Sequence, residues 1–287
     1  MHRVSYRDLA LKSLDQLPPF SPVLNHLVAS LADEDVSFAQ LATVIERDTV
    51  LSGNVMRLVN SALYGRRGTV SSVRAAVSIL GITKLRNYLL GLSVSRLWAK
   101  VRTPAGWSMS RFNDHAVAAA VMADLLVQKA QVNYPEGAFV AGLLHDLGRM
   151  MIAMALPDEF QNILESYITT GRPLEVCEHE MLDITHSELS AIALSRWNLP
   201  VPIQKAVLYH HRSALDPTLG ASDVLPLSVA VEAANELANA NNHAITDADV
   251  PKALPPESAL RRLGYESIDA KLMESFDAEL KAMRSNL

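Results

Sequence analysis

The amino-acid sequence predicts an all-α fold. Apolar residues recur three and four positions apart along nearly the whole chain, no two alternating runs are present to pair as a sheet, and caps, prolines and glycines fall where the helical periodicity stops.

In VLNHLVASL, Val23, Leu27 and Leu31 stand four apart, and in FAQLATVIERD the positions Phe38, Leu41, Ala42 and Ile45 mark one face, so both stretches read as amphipathic helices. The pattern continues through LSGNVMRLVNSALY, SSVRAAVSILGI and ITKLRNYLLGLSVSRLW, with Gly65-Arg-Arg-Gly68 and Gly81 as interruptions. KVRTPAGWS, carrying Pro104 and Gly106, is the expected joint between an N-terminal helical lobe and the remainder. FNDHAVAAAVMADLLVQKA reads as a long Ala-rich helix with His115 near its start. EGAFVAGLLHDLGRMMIAMAL is apolar on most sides and is expected as a central helix with His145 and Asp146 deep within it, Gly142 and Gly148 allowing neighbours close.

Thr185 and Glu188 have the spacing of a capping box, which places His186 in the first turn of a helix running to about Trp197, where Asn198-Leu-Pro stops it. Pro202 starts VPIQKAVLYHH, which ends in His210-His211. LPLSVAVEAANELANA, with Glu232, Asn235 and Glu236, forms a further helix before a Pro-rich break at residues 251–256 and a polar amphipathic tail.

Composition narrows the class. At 287 residues the chain can bury a substantial core, and 49% hydrophobic with 20% charged residues is ordinary for a globular protein. No stretch long enough to cross a bilayer lacks a charge or helix breaker, so no membrane span is expected. The opening MHRVSYRDLALKSLDQ sets charges where a signal peptide needs its apolar segment, so the expected location is the cytoplasm. Cys177 alone can form no internal disulfide and no thiolate cluster, and it reads as an inert small residue; any metal must be held by nitrogen and oxygen.

The net charge of −5 hides a contrast: residues 1–110 hold 13 Lys+Arg against 7 Asp+Glu, and residues 111–287 hold 13 against 24. The positive part includes Arg57, Arg66, Arg67, Arg74, Lys84, Arg86, Arg96, Lys100 and Arg102. Without an aromatic stacking pattern, this reads as a solvated helical surface rather than a nucleic-acid site.

Six of the nine histidines lie between positions 115 and 211. An Asp beside a His in an apolar helix is costly to bury unless something pairs with it, and a divalent metal ion is one such partner. Taken singly, His115 reads more often as a capped or hydrogen-bonded histidine near a helix start than as a ligand, and His210-His211 more often as a solvated helix end. Arg149 reads either as a phosphate contact or as a surface cation beside Gly148, and Asp183 and Glu188 cap or flank their helices.

The N-terminal runs LPPFSPVLNHLVASL, LATVIERDTVLSGNVMRLVNSALYG and VSSVRAAVSILGITKLRNYLLG resemble the opening of the bacterial HDOD family, NSALYG and the following Ala-Val-Ser-Ile-Leu-Gly being the most specific parts. GLLHDLGRM, ITHSELSAIALSRWNLP and AVLYHH are similar to the HD metal-dependent phosphohydrolase superfamily, to which HDOD domains are related. The resemblance implies an N-terminal helical lobe over residues 1–110, an HD-like helical core over 111–243 and a C-terminal helical tail over 244–287. It also implies a role in bacterial signal transduction beside receiver or sensory modules.

Carried over by position, the resemblance assigns His115, His145 and Asp146 to one metal ion, and His186, His210 and His211 to a second. The family's late Asp is replaced by Asn235, a neutral and weaker donor, so the first site keeps one anionic ligand. Glu232, one turn earlier, is a candidate substitute. The cofactor expected is a divalent ion with N/O ligands, with Fe, Mn, Zn, Ni and Mg not distinguished, and the catalytic candidates, if any, are Asp146 and Arg149. Two functions compete: a non-catalytic signalling module acting on a receiver or sensor domain in trans or on a small ligand such as a nucleotide or phosphate compound, and a metal-dependent phosphohydrolase or phosphodiesterase. No Gly-Tyr-Pro element follows the His doublet, unlike the related cyclic-di-nucleotide phosphodiesterases.

Overall fold

The computed structural model describes residues 5–31, 42–43, 45–61, 69–99, 101, 103–251, 258–267 and 269–285. The fold is all-α, and the only extended pairing among the described residues is one isolated bridge, Val132 with Leu225. Phe38, Leu41, Gly65, Arg66, Arg67, Gly68, Lys100, Arg102 and most of the Pro-rich break lie outside the described residues.

In chain order the first helices are α1 (Tyr6–Lys12), α2 (Pro22–Ala29), α3 (Thr49–Val59), α4 (Val73–Leu80) and α5 (Ile82–Trp98). Then come α6 (Met109–Val127), α7 (Ala138–Leu144), α8 (Leu147–Ala155), α9 (Pro157–Thr170) and α10 (Leu174–Leu182). The last are α11 (His186–Arg196), α12 (Val201–Leu208), α13 (Leu227–Ala240), α14 (Ala259–Arg262) and α15 (Ala270–Arg284).

The chain divides into two compact units, Met1–Pro19 with Lys100–Ser267, and Phe20–Ala99 with Ile268–Leu287. The break at Lys100 falls where KVRTPAGWS begins, but both ends of the chain cross over relative to boundaries at 110 and 243. Residues 5–19 pack with the histidine-bearing unit, through contacts of α1 with α8 and α10. The C-terminal segment joins the other unit.

In that second unit, side-chain caps start the helices: Ser21 accepts from Leu24 N–H, Asp48 from Val50 and Leu51, and Ser72 from Ala75. Gly81, at φ +77, separates α4 from α5, a backbone state that costs glycine least. α15 packs on α5 and buries Leu272, Phe276 and Leu280 at four-residue spacing, with Lys84 and Glu279 paired at 2.8 Å.

The histidine-bearing unit is built on α6, capped by Ser108. Its alanines let α7 lie against it so closely that a Cβ on Gly142 would stand 2.8 Å from the Ala119 carbonyl oxygen. Gly148 is tighter still, since a Cβ there would lie 2.1 Å from the His186 carbonyl oxygen. The long apolar run is not one helix, as the sequence led us to expect. A 3-10 turn over Pro135–Gly137 leads into α7, and His145 and Asp146 form a two-residue break before α8, with Asp146 at φ −97, ψ 13. In a continuous helix adjacent side chains point about 100° apart, and the break lets the pair converge. By length and composition Pro135–Ala155 is apolar enough to cross a membrane, and 89% of its most apolar 18-residue window is buried inside the structure.

Candidate metal centre

Each ligand-type side chain reaches the centre from a different position in the helical frame. His115 comes from the second turn of α6, His145 and Asp146 from the α7–α8 break, His186 from the first turn of α11, and His210-His211 from the end of α12. The Thr185–Glu188 capping box is formed and fixes the start of α11. His115, His145, His186 and His210 are fully buried and Asp146 nearly so. His211 is exposed as a residue, yet its Nε2 lies 2.9 Å from His186 Nε2.

Asp146 sits between two clusters. Its Oδ2 is 3.4 Å from His115 Nε2 and 3.5 Å from His145 Nε2; its Oδ1 is 3.3 Å from His186 Nε2 and 3.5 Å from His210 Nε2. Within each cluster, one ligand atom per residue lies within 4.8 Å of all the others.

The opposite ring nitrogens are committed. His115 Nδ1 donates to the His243 carbonyl at 2.7 Å, His145 Nδ1 to the Gly142 carbonyl at 2.8 Å, and His210 Nδ1 to the Val207 carbonyl at 2.6 Å. A carbonyl only accepts, so each Nδ1 carries the hydrogen and each Nε2 offers a lone pair unless the ring is doubly protonated. His115 Nε2 and His145 Nε2 then face each other at 3.2 Å beside a carboxylate oxygen, an arrangement that needs a cation between them, either a proton or a metal ion. Burial pushes the His145 imidazole down to about 3, and a divalent ion fits between the two Nε2 atoms and the carboxylate oxygen. Asp146 Oδ1 is buried, 3.3 Å from His186 Nε2 and 3.5 Å from His210 Nε2. On these observations the residues present fit a divalent ion held by imidazole nitrogen and carboxylate oxygen.

His186 differs. Its backbone N–H and Nδ1 both donate to Glu178 Oε2, at 2.9 and 2.7 Å. Burial disfavours its charge, but Glu178 and Asp146 outweigh burial and raise it to about 10. Asp146 is held well below the usual carboxylate range: burial opposes this, and His145 and Arg149 prevail.

Arg149 is not a surface cation. It is buried, with Nη1 3.4 Å from Asp146 Oδ2 and Nη2 2.9 Å from Asp249 Oδ2. Asn235 is buried on α13, and its Oδ1 accepts from Asn239 Nδ2 at 3.1 Å. It lines a cavity of about 230 Å³ together with Arg149, Tyr167, His211, Glu236 and Asp249. Glu232 does not take the place of the missing carboxylate, because its Oε2 accepts from Arg262 at 2.7 Å and from the Ser213 hydroxyl. Cys177 is buried, with Ser166 Oγ 3.6 Å from its sulfur. Asp183 caps the end of α10 and pairs with Arg7 at 3.6 Å.

The sequence profile of the HDOD domain matches residues 17–213, well over half of the chain. The chain belongs to the HDOD domain family. An HDOD domain protein of unknown function from Geobacter sulfurreducens superposes with a TM-score of 0.76 at 23% identity, covering 96% of this chain and 98% of that one. A protein from Shewanella amazonensis SB2B named "Putative phosphohydrolase" gives 0.70 at 20% identity, covering 97% and 98%. At these identities the likeness concerns the fold. An uncharacterized protein of Treponema pallidum (strain Nichols) is 24% identical over 198 residues, 69% of this chain, which spans only 38% of that relative's length.

Sequence reasoning did not single out Glu178 or Asp249 in this HDOD chain. Glu178 lies eight residues before the ring it orients, with no periodic signal linking the two. Asp249 did carry a local signal, the Thr246–Asp249 capping-box spacing, which the structure forms; nothing local tied it to Arg149.

Proposed function

We propose that this HDOD chain is a metal-binding regulatory module of bacterial signalling, in which one divalent ion completes the core rather than cleaving a substrate. The observation that carries this reading is the single carboxylate, Asp146, shared by both histidine clusters. The buried charged side chains at the centre are Asp146, Glu178, Asp249 and Arg149, each no more than 6% exposed, so three negative charges meet one positive charge and leave −2 with neutral imidazoles. One dication balances that, whereas two leave an uncompensated +2 in a buried site, which is costly. Asn235 withholds the second carboxylate that would offset a second ion.

His115, His145 and Asp146 would hold an ion on one side, and Asp146, His186, His210 and His211 on the other. When bound, such an ion supplies Lewis acidity and lowers the pKa of a coordinated water. With one site filled, the paired clamp of two-metal phosphoryl transfer is not assembled, which favours a scaffold acting on a receiver or sensor protein in trans.

The second reading, a metal-dependent phosphohydrolase, draws on the cavity that joins His211 and Arg149. A phosphate entering there brings the negative charge that a second ion lacks. Elemental analysis of the purified chain, with hydrolysis assays on phosphodiesters and cyclic di-nucleotides, separates the two. We expect about one ion per chain and no turnover in the wild type, with Asn235→Asp taking up a second ion. Wild-type turnover abolished by alanine at His145 or Asp146 would establish the enzyme instead, and a chain that binds no divalent ion would refute both readings.

A further inference from the structure

The loop after α13 touches the centre from two sides. α13 ends with Asn242 at φ +64 and the His243 N–H bonded to the Ala238 carbonyl at 2.9 Å, the Schellman arrangement that turns the chain at a helix end. That turn delivers the His243 carbonyl to His115 Nδ1 at 2.7 Å. Six residues further on, Asp249 holds Arg149 Nη2 at 2.9 Å, and Arg149 Nη1 lies 3.4 Å from Asp146 Oδ2.

Between these points the loop is fastened along its length. Asp114 Oδ2 accepts from His243 Nδ1 at 2.9 Å. Arg111 donates to the Ala244 carbonyl at 3.2 Å and pairs with Asp247 at 2.8 Å. Tyr167 donates to the Ala248 carbonyl at 3.1 Å. Three of these fasteners come from the beginning of α6, the helix that carries His115.

We propose that residues 243–249 form a strap that positions both ends of the metal centre, His115 through the His243 carbonyl and Asp146 through the Asp249–Arg149 pair. Asp249, Asp114 and Arg111 are then positioning residues that touch no ion. The inference rests on the metal-binding reading and adds the route by which the surface reaches the centre. The Arg111–Asp247 fastener is open to solvent, with side chains 42% and 95% exposed, whereas Arg149 and Asp249 are 5% and 6% exposed. By linkage, an ion that tightens the strap is bound less firmly when the strap is loosened.

The test measures Zn²⁺ affinity by competition with a fluorescent chelator, and amide hydrogen exchange over residues 243–249 with and without Zn²⁺, on the full chain. Partners of metal-binding histidines and carboxylates are commonly worth about 10- to 100-fold in affinity. We expect Asp249→Ala, Arg111→Ala and Asp114→Ala each to weaken Zn²⁺ binding by about tenfold or more. Asp114→Asn, which keeps the acceptor for His243, should restore it. Zn²⁺ should slow exchange across the strap in the wild type. Arg111 is half-exposed, so its variant keeps the test decisive if Asp249→Ala does not fold. Wild-type affinity in Arg111→Ala and Asp114→Ala, with strap exchange indifferent to Zn²⁺, would overturn the strap while leaving the metal centre standing. A wild type that binds no Zn²⁺ or other divalent ion brings down the metal reading and the strap with it.

Discussion

Asp146 faces five imidazoles from four parts of the chain, and for four of them the partner of Nδ1 is fixed. Three rings give their Nδ1 hydrogen to a backbone carbonyl, which aims Nε2 inward. His186 gives its own to Glu178, a carboxylate, and a carboxylate stabilises the charged ring as a carbonyl does not. The difference has a measurable sign. Without metal, His186 is raised to about 10, so it is protonated at pH 7.5, and an ion taking its Nε2 must displace that proton. Calorimetric titration with Zn²⁺ in two buffers of different ionisation enthalpy should report about one proton released per ion at pH 7.5 for an ion held by His186, His210 and His211, and none for an ion held by His115 and His145. Release of none would mean that the ion does not use His186. The same group sets a stability window: its folded value exceeds the unfolded 6.5, so its contribution is complete below 6.5 and is lost as pH rises through about 10. The six histidine and aspartate positions were legible in the sequence because their residue types are rare in apolar helices and carry the HD-type order. Glu178 and Asp249 were not legible, since a charged partner brought in by tertiary folding leaves no periodic trace.

Helix existence was legible almost throughout, because caps and prolines act locally: Thr185 with Glu188, and Pro202, do in the structure what their spacing predicts. The break at His145-Asp146 was not, because a polar pair and glycines within an apolar run are as compatible with one continuous helix as with two; in the structure the break falls where the two side chains enter the cluster. What does show locally is Gly148. Its N–H donates to Ser190 Oγ at 2.7 Å, and the missing Cβ lets α8 meet the His186 backbone. We expect Gly148→Ala to displace the start of α11, destabilising the chain by about 1–3 kcal/mol as overpacked cores do. Because the displaced residue is His186, Zn²⁺ affinity should fall as well. Urea unfolding and chelator competition on the same variant check both, and full stability with full affinity would mean that α8 and α11 separate freely.

At the scale of the whole molecule, the unit that holds the centre is discontinuous in sequence. The charge contrast and the Pro-Gly joint mark the chain near residue 100, but residues 1–19 return to the same unit through packing that neither signal encodes. α1 places Ala10 and, just beyond it, Leu14 in the buried core and touches α8 and α10, the helices that carry Arg149 and Glu178. Removing residues 1–19 therefore uncovers the backs of two helices whose fronts orient Asp146 and His186. Truncating one large buried apolar side chain costs about 2–5 kcal/mol, and Leu14 is such a side chain. We expect a chain lacking residues 1–19 to melt well below the full chain and to bind Zn²⁺ more weakly, even though it keeps every candidate ligand. A saturating ion at about 100 times its Kd adds about 2.7 kcal/mol, so part of the lost melting temperature should return on Zn²⁺ addition. Differential scanning calorimetry of both chains, with and without Zn²⁺, reads all three quantities. An unchanged melting temperature in the shortened chain would mean that α1 rests on the unit without supporting it.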